Sequence, residues 1–217
     1  MPFAEALCPY CRVELRKRPQ RKTKCPGCGN SIMVRTEPAT GERVGLTEAE
    51  AARIDSVHAA QYALRYLERQ VESFDLEVGE YRRRTAARPD LPPRDVVWGM
   101  CNERLTRLNF AGEWHIAGAL YYGMALFAAE EDSEFTYLLE ACAAMKLRGF
   151  QLQGGVRKVE ILTAGIGNAC KFCARLERKV FTLEDAARTR PLPCRECTMV
   201  VVGAQAGFCR CDYLPRD

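Results

Sequence analysis

Histidine is scarce in this chain of 217 residues, which has only His58 and His115. Both fall in stretches with helical periodicity, where a lone histidine is usually a surface residue or a satisfied core residue. The C-terminal tail has none, which excludes an HNH-type nuclease there, because such an enzyme needs a histidine base. No cysteine has a histidine neighbour that would activate it as a nucleophile. We therefore expect no catalytic site.

Long apolar runs are also missing. No stretch approaches the roughly 18 residues that cross a bilayer, and the N-terminal segment MPFAEALCPYC has neither the basic nor the apolar region of a secretion signal. The sequence therefore predicts a cytoplasmic protein with no membrane partner. Thiols stay reduced in that compartment, so paired cysteines indicate metal or redox chemistry rather than structural disulfides.

Cysteine, in contrast, is abundant, with twelve in the chain. Cys8-Pro-Tyr-Cys11 and Cys25-Pro-Gly-Cys28 are two Cys-x-x-Cys turns with thirteen residues between them. Two such turns supply the four thiolates of a closed tetrahedral Zn²⁺ site. A redox dithiol is the alternative, but the pair occurs twice here and no thioredoxin-like βαβ pattern surrounds it. Residues 8–35 resemble the zinc-ribbon superfamily, and the resemblance implies a structural zinc that is not catalytic.

The tail carries six cysteines, in two Cys-x-x-Cys turns and a final Cys-x-Cys: Cys170, Cys173, Cys194, Cys197, Cys209 and Cys211. The twenty residues between the two turns are another spacing typical of zinc. We predict one zinc on these two turns, with Cys209 and Cys211 outside it, and hence two zinc ions in the whole chain. The alternatives are Cys170 and Cys173 with two of the other four, a six-thiolate two-metal cluster, or an iron–sulfur cluster, which also takes four cysteines.

The tail also has a family resemblance. The segments CKFCARLERKVFTLEDA, PLPC and CRC, the last followed closely by an apolar residue and proline, are similar to the cysteine-rich C-terminal module of phage head-morphogenesis (minor head) proteins. The similarity covers residues 159–215 and implies a structural role in a phage or prophage particle, with ligands drawn from the final cysteines. That family usually has His-Pro-x-Cys-Arg-Cys, and this chain has no histidine at that place.

Positive charge is concentrated between the first two Cys-x-x-Cys turns. Seven basic residues lie there, and we call this set the basic loop: Arg12, Arg16, Lys17, Arg18, Arg21, Lys22 and Lys24. A solvated loop is the simplest interpretation, but like charges repel, and phosphate contact is the commonest reason for concentrating them. Only Tyr10 is near enough to stack on a base. The sequence therefore predicts contact with the backbone of DNA or RNA and little base readout.

The predicted fold is mainly α, with a helical core flanked by two small zinc-bound β-rich modules. Its predicted order is a zinc ribbon, a linker, a helical domain, a second linker and a Cys-rich zinc-binding module, with bounds 1–36, 37–46, 47–150, 151–157 and 158–217. Thr47 with Glu50 predicts a capping box where the helical domain begins. An a/d stripe from Val57 to Tyr81 predicts one long helix. That helix is either an arm of an internal bundle or a surface for a protein partner or self-association.

The segments after the long helix are predicted to contain further helices and strands. RPDLPPR breaks the chain, because proline cannot continue a helix. Helices are expected over Asp95–Leu108 and Gly112–Glu130, and another after Ser133, which would form helical hairpins. Cys101 and Cys142 fall on apolar helical stripes and are expected to be buried small hydrophobes. In the tail, VEILT, KVFT and TMVVVG are predicted strands, and TLEDAARTR is a predicted short helix with Thr182 as its N-cap.

These patterns favour a non-enzymatic zinc-binding protein that acts as an adaptor for nucleic acid or protein. Two other interpretations stand beside it. The tail resemblance favours a phage- or prophage-associated structural protein, and an enzyme of nuclease-like type would need an active site in the helical middle. Zinc ribbons contact nucleic acids and proteins about equally well, so the fold alone does not choose between partners.

Overall fold

A computed structural model of the protein describes residues 6–165, 168–201 and 207–216. The chain forms two compact units, one up to Glu68 and the other from Arg69 onward. Helices account for about half of the chain, and two small antiparallel sheets make up the strands. The expected mainly α fold therefore holds only in a coarser form, in which half of the chain is helical and β structure lies near both termini.

The first unit contains a three-stranded antiparallel sheet of β1 (Thr23–Lys24), β2 (Ser31–Thr36) and β3 (Arg43–Leu46), with β2 in the centre. The predicted linker 37–46 thus contains a strand. The Glu37 N–H donates to the Glu42 carbonyl at 2.8 Å and closes a hairpin, which aligns β3 with β2. The first module is therefore longer than its cysteine motifs indicate.

The first helix, α1 (Glu48–Ser73), begins as predicted. A Glu50 carboxylate oxygen accepts from the Thr47 N–H at 2.9 Å, and Thr47 Oγ1 accepts from the Glu50 N–H at 3.2 Å. This reciprocal pair is the capping box, and it satisfies N–H groups that the helix leaves without partners.

The predicted long helix over the 57–81 stripe is wrong. The chain leaves the helix after Ser73, and Asp75 takes a positive φ of 51° before α2 (Val78–Ala87) begins. The stripe is also divided in its environment. Val57 is 44% exposed, whereas Tyr81 is fully buried. A heptad pattern indicates that apolar residues share one face, but it does not indicate whether the helix is continuous along that face.

The second unit is built on α2 and three longer helices, α3 (Pro93–Ala111), α4 (Trp114–Ala129) and α5 (Thr136–Gln153). The last two form the expected hairpin, and α4 is apolar on most of its surface, with eight buried residues. None of the described helices is long and apolar enough to cross a membrane. The helical core is therefore centred on α4.

Aromatic side chains fill the space between these helices. The Phe127 ring of α4 lies 5.7 Å from that of Phe74, edge to face, and 6.0 Å from that of Trp98. A Cβ atom at Gly123 would lie 2.9 Å from the Phe74 ring, so glycine is what lets that ring approach α4. Contacts between these aromatic rings therefore contribute to the stability of the helical core.

The tail forms the second sheet. β4 (Lys158–Leu162) is central, and β5 (Val180–Thr182) and β6 (Asp212–Arg216) pair with it on either side, both antiparallel. Two short helices, α6 (Lys171–Ala174) and α7 (Leu183–Thr189), flank β5 in sequence. The Thr182 N-cap of α7 is confirmed, because its side chain accepts from the Asp185 N–H at 3.0 Å.

One expectation for the tail is corrected. Thr198–Val201, predicted to begin the strand TMVVVG, have no strand structure, and the rest of that stretch lies outside the described residues. The third strand is instead β6, which pairs with β4 in a register that sets Tyr213 opposite Ile161. Before the tail, α5 extends to Gln153, which lies within the predicted linker 151–157.

The tail packs on the helices of its own unit. The fully buried Phe208 ring lies 5.7 Å from the Tyr122 ring of α4 and 5.2 Å from the Phe135 ring beside α5. Lys146 of α5 forms an ion pair with Asp212 of β6. The Cys-rich tail is therefore joined to the helical core by an aromatic contact and a charged one.

We expect Phe208→Ala to lower the free energy of unfolding by about 3–5 kcal/mol, because it removes a large buried ring. The measurement is urea denaturation followed by circular dichroism at fixed metal concentration. Phe110→Ala is the matched control, since Phe110 is 90% exposed, and its effect should stay within about 0.5 kcal/mol. An unchanged midpoint for Phe208→Ala would contradict a stabilising contact between this ring and the helices.

Candidate metal centres

The two N-terminal turns have the same backbone structure. In each turn, the N–H four residues after the first cysteine donates to the carbonyl of that cysteine. Arg12 N–H donates to the Cys8 carbonyl and Gly29 N–H donates to the Cys25 carbonyl, both at 2.9 Å. Both donors have positive φ, 62° at Arg12 and 74° at Gly29. Glycine adopts this conformation freely, whereas another residue is strained by about 1–2 kcal/mol. Arg12 therefore holds a strained conformation that the turn requires.

These turns bring the four predicted ligands together. The sulfurs of Cys8, Cys11, Cys25 and Cys28 all lie within 4.8 Å of one another. Cys8 Sγ is 3.9 Å from Cys28 Sγ, and Cys11 Sγ is 3.7 Å from Cys25 Sγ. A tetrahedral zinc with bonds of about 2.3 Å to sulfur sets its ligands about 3.8 Å apart, whereas a disulfide needs about 2.05 Å. The donor set therefore fits a tetrahedral metal ion.

Backbone amides stabilise charge on part of this set. The amides of Cys28 and Gly27 donate to Cys25 Sγ and lower its pKa to about 6, against a smaller opposing effect of burial. The Val13 amide favours the thiolate of Cys11, but burial and the neighbouring thiols raise its pKa to about 12. Adjacent thiolates repel one another, so a cation is needed before all four can lose their protons.

The tail cysteines form two groups rather than one. Cys170, Cys173 and Cys197 make the first, in which Cys170 Sγ and Cys197 Sγ are 4.0 Å apart. The second is Cys173 with Cys209 and Cys211. The sulfurs within each group lie within 4.8 Å of one another, and Cys173 belongs to both.

These groups differ in two respects from the predicted set of four, and the assignment of ligands stays a prediction. Among the described residues Cys194 belongs to neither group, although it was predicted as a ligand. Its N–H donates to Cys209 Sγ at 3.2 Å, and its side chain interacts with that of Cys173. Cys209 and Cys211, which were expected to lie outside the zinc site, form the second group with Cys173.

Amides also donate to the tail sulfurs. Burial would raise the pKa of Cys170, but N–H donors that include that of Cys173 lower it to about 6. The Cys211 side chain, followed by the amides of Cys211 and Cys194, lowers the pKa of the buried Cys209 to about 6. Met199 N–H donates to Cys197 Sγ at 3.4 Å. Such N–H donors stabilise thiolate ligands at a metal site.

Cys101, Cys142 and the two histidines lie in the helical parts of the chain. Burial raises the pKa of Cys101 to about 12 and that of Cys142 to about 11, which keeps both as unreactive thiols. His58 Nε2 lies 2.8 Å from the Thr36 carbonyl oxygen, and His115 Nε2 lies 2.9 Å from Gln153 Nε2. Cys101 is therefore buried as the sequence predicted, whereas Cys142 is only half-buried.

The basic loop is displayed on the surface. All seven of its cationic side chains are exposed. Within the described residues, only Arg18 among the seven has a carboxylate within 4.0 Å, that of Glu42 at 3.4 Å. Arg43 Nη1 of β3 donates to the Gln20 carbonyl at 3.1 Å and fixes the far side of the loop. The loop therefore presents cationic charge that internal ion pairs largely leave unneutralised.

Comparison with family models, curated proteins and solved structures finds no match for this chain. The resemblances to zinc ribbons and to phage head proteins consequently have only the sequence motifs behind them. The cysteine geometry and the charge of the basic loop are the observations from which a function is inferred.

We expect Cys25→Ser to lose the metal of the N-terminal site and to expose the first module to protease. Its buried cluster consists of Cys8, Cys25 and Ile32, which is too small to fold a sheet without a metal. The measurements are metal content by inductively coupled plasma mass spectrometry and limited proteolysis, with cleavage expected near residues 36–45.

The matched control is Cys142→Ser, which removes a thiol from α5 and should leave metal content unchanged. The helices of the second unit should stay resistant to protease in both variants. Equal metal content in Cys25→Ser and the wild type would contradict the N-terminal site.

Proposed function

We propose that this protein is a non-enzymatic zinc-binding adaptor whose N-terminal module contacts the phosphate backbone of DNA or RNA. The observation that carries the proposal is the position of the basic loop. It runs between Cys11 and Cys25, two sulfurs 3.7 Å apart, and all of its seven cationic side chains are exposed. A metal at the four cysteines would hold both ends of this loop.

Fixing the loop favours binding. A flexible loop loses conformational freedom when it docks on a polyanion, whereas a loop whose ends are already held loses less. Besides the metal site, the Leu7–Glu14 bridge and the pairing of β1 with β2 hold the two sides of the loop. The charges are therefore presented from a preorganised support.

The expected contact is with phosphates rather than bases. Each phosphate that a lysine or arginine neutralises releases a condensed counterion, and this release is independent of sequence. Tyr10, the aromatic residue nearest in sequence, accepts a hydrogen bond from the Glu48 N–H through its hydroxyl at 2.9 Å. That hydrogen bond ties the ring to the start of α1, which supports a binding mode with little base stacking.

The helical unit supports an adaptor rather than a catalyst. A cleft of about 590 Å³ in this unit is lined by apolar side chains and by several arginines and carboxylates. Arg84 bonds to Glu80 at 2.7 Å and to Glu103 at 2.6 Å, and Arg104 is paired with Asp75. These ion pairs stabilise the packing of α2 and the residues before it against α3.

A second candidate is a structural role in a phage or prophage particle. The observation that favours it is the position of Cys209 and Cys211 beside Cys173, because the resemblance to head-morphogenesis proteins implied ligands from the final Cys-x-Cys. The test is sedimentation of the protein with capsids from cells that carry the prophage. Sedimentation that persists after nuclease treatment would favour this role over the nucleic-acid role.

We expect wild-type protein to bind DNA or RNA weakly and with little sequence preference. Log affinity should fall against log salt by about 0.7–0.9 per phosphate contacted. Changing Arg16, Lys17, Arg18, Arg21 and Lys22 to glutamine should remove most of the affinity and flatten the salt dependence, with metal content unchanged. The measurement is fluorescence anisotropy with labelled duplex and single-stranded probes.

The matched control removes the same charge elsewhere. Five exposed cations of the second unit serve for it: Arg107, Arg157, Lys158, Lys179 and Arg188. Changing these to glutamine should leave affinity nearly unchanged if the basic loop is the binding surface. An equal loss in both variants would indicate an effect of net charge alone, and no binding by the wild type at about 50 mM salt would refute the proposal.

A further inference from the structure

The six tail cysteines are arranged around a shared member. Cys173 is 3% exposed and lies within 4.8 Å of Cys170 and Cys197 on one side and of Cys209 and Cys211 on the other. These five sulfurs come from three segments: the turn at the start of α6, the turn after α7, and the approach to β6. The undescribed residues 166–167 and 202–206 contain no cysteine, histidine or acidic residue that would add a ligand.

One tetrahedral ion does not account for this arrangement. Such an ion takes four sulfurs, and here the two groups together hold five. A single ion in the first group would leave Cys209 and Cys211 beside it as unused thiols, with Cys209 only 3% exposed. Two ions, one in each group, use all of these sulfurs.

We propose that the tail holds a binuclear thiolate cluster, in which two divalent metal ions share Cys173 as a bridging ligand. The ion of the first group is bound by Cys170 and Cys197, and the ion of the second group by Cys209 and Cys211. This inference rests on the proposed function, since it takes these cysteines to be metal ligands. It deepens that function by changing the expected content from two ions to three, one in the N-terminal site and two in the tail.

The ligand count identifies the sixth cysteine as a second bridge. Two tetrahedral ions need eight bonds to sulfur, and six thiolates supply eight when two of them bridge. Cys194 is the remaining tail cysteine, and its N–H donates to Cys209 Sγ at 3.2 Å, so its backbone lies beside the second group. As a second bridge, it would complete both coordination spheres.

The charges and protons of the cluster balance. Six thiols release six protons as two divalent ions bind, which leaves a cluster of charge −2, the same as one zinc with four thiolates. The N–H groups of Cys173, Met199 and Cys194 donate to sulfurs of Cys170, Cys197 and Cys209. These N–H donors stabilise the negative charge that remains on the sulfurs.

The decisive experiment uses the full-length protein loaded with ¹¹³Cd²⁺ and observed by ¹¹³Cd NMR. Two cadmium ions joined through a shared thiolate split each other's resonances, whereas isolated ions give single lines. We expect three resonances of equal intensity: one single line from the N-terminal site and two mutually split lines from the tail. Metal analysis of the zinc-loaded protein should give three ions per chain.

Variants assign the lines. Cys25→Ser should remove the single line and leave the split pair, which shows that the two sites are independent. Changing both Cys209 and Cys211 to serine should remove one tail ion and turn the other tail resonance into a single line. An unchanged metal content in this double variant would overturn the cluster.

The outcomes separate this inference from the proposed function. Two unsplit lines, with two ions per chain, would refute the binuclear cluster and leave the protein as a zinc-binding adaptor. One line that disappears in Cys25→Ser would refute every metal in the tail. Failure of the protein to retain any metal would refute the proposed function itself.

Discussion

Repulsion between neighbouring thiolates is the constraint on which both ends of the chain depend. Sulfur atoms lie 3.7–4.0 Å apart in the N-terminal site and in the first tail group, close enough that they cannot all ionise without a cation. Within the described part of the N-terminal module, the buried cluster is small: it holds Cys8, Cys25 and Ile32, with the partly buried Leu15 packed against it. The sheet and basic loop of this module are therefore organised around four cysteines that could hold a metal ion, rather than around an apolar core.

Features with local causes could be predicted from the sequence. The capping box of Thr47 and Glu50 and the N-cap at Thr182 involve residues three positions apart, so their side chains meet whatever the rest of the fold does. The same is true within each Cys-x-x-Cys turn. Four N-terminal sulfurs were expected together on this basis, and the structure brings them together.

Features that depend on distant parts of the chain could not be predicted. β3 and β6 are strands because β2 and β4 offer them partners, and neither segment alternates clearly enough to indicate this. The pairing of β6 also places Cys209 and Cys211 beside Cys173, which spacing alone does not reveal. A positive φ at Asp75 breaks the helix within the apolar stripe, and the periodicity of the stripe does not show this break.

Phe208 and Cys209 are consecutive, yet the ring lies in the helical core and the sulfur among the tail thiols. A metal ion that holds Cys209 therefore also holds the ring between Tyr122 and Phe135. By thermodynamic linkage, ligand binding to the folded form adds to the stability of everything that folds with it. The α4–α5 hairpin, which contributes no cysteine to the cluster, would then melt at a temperature that rises with free metal concentration.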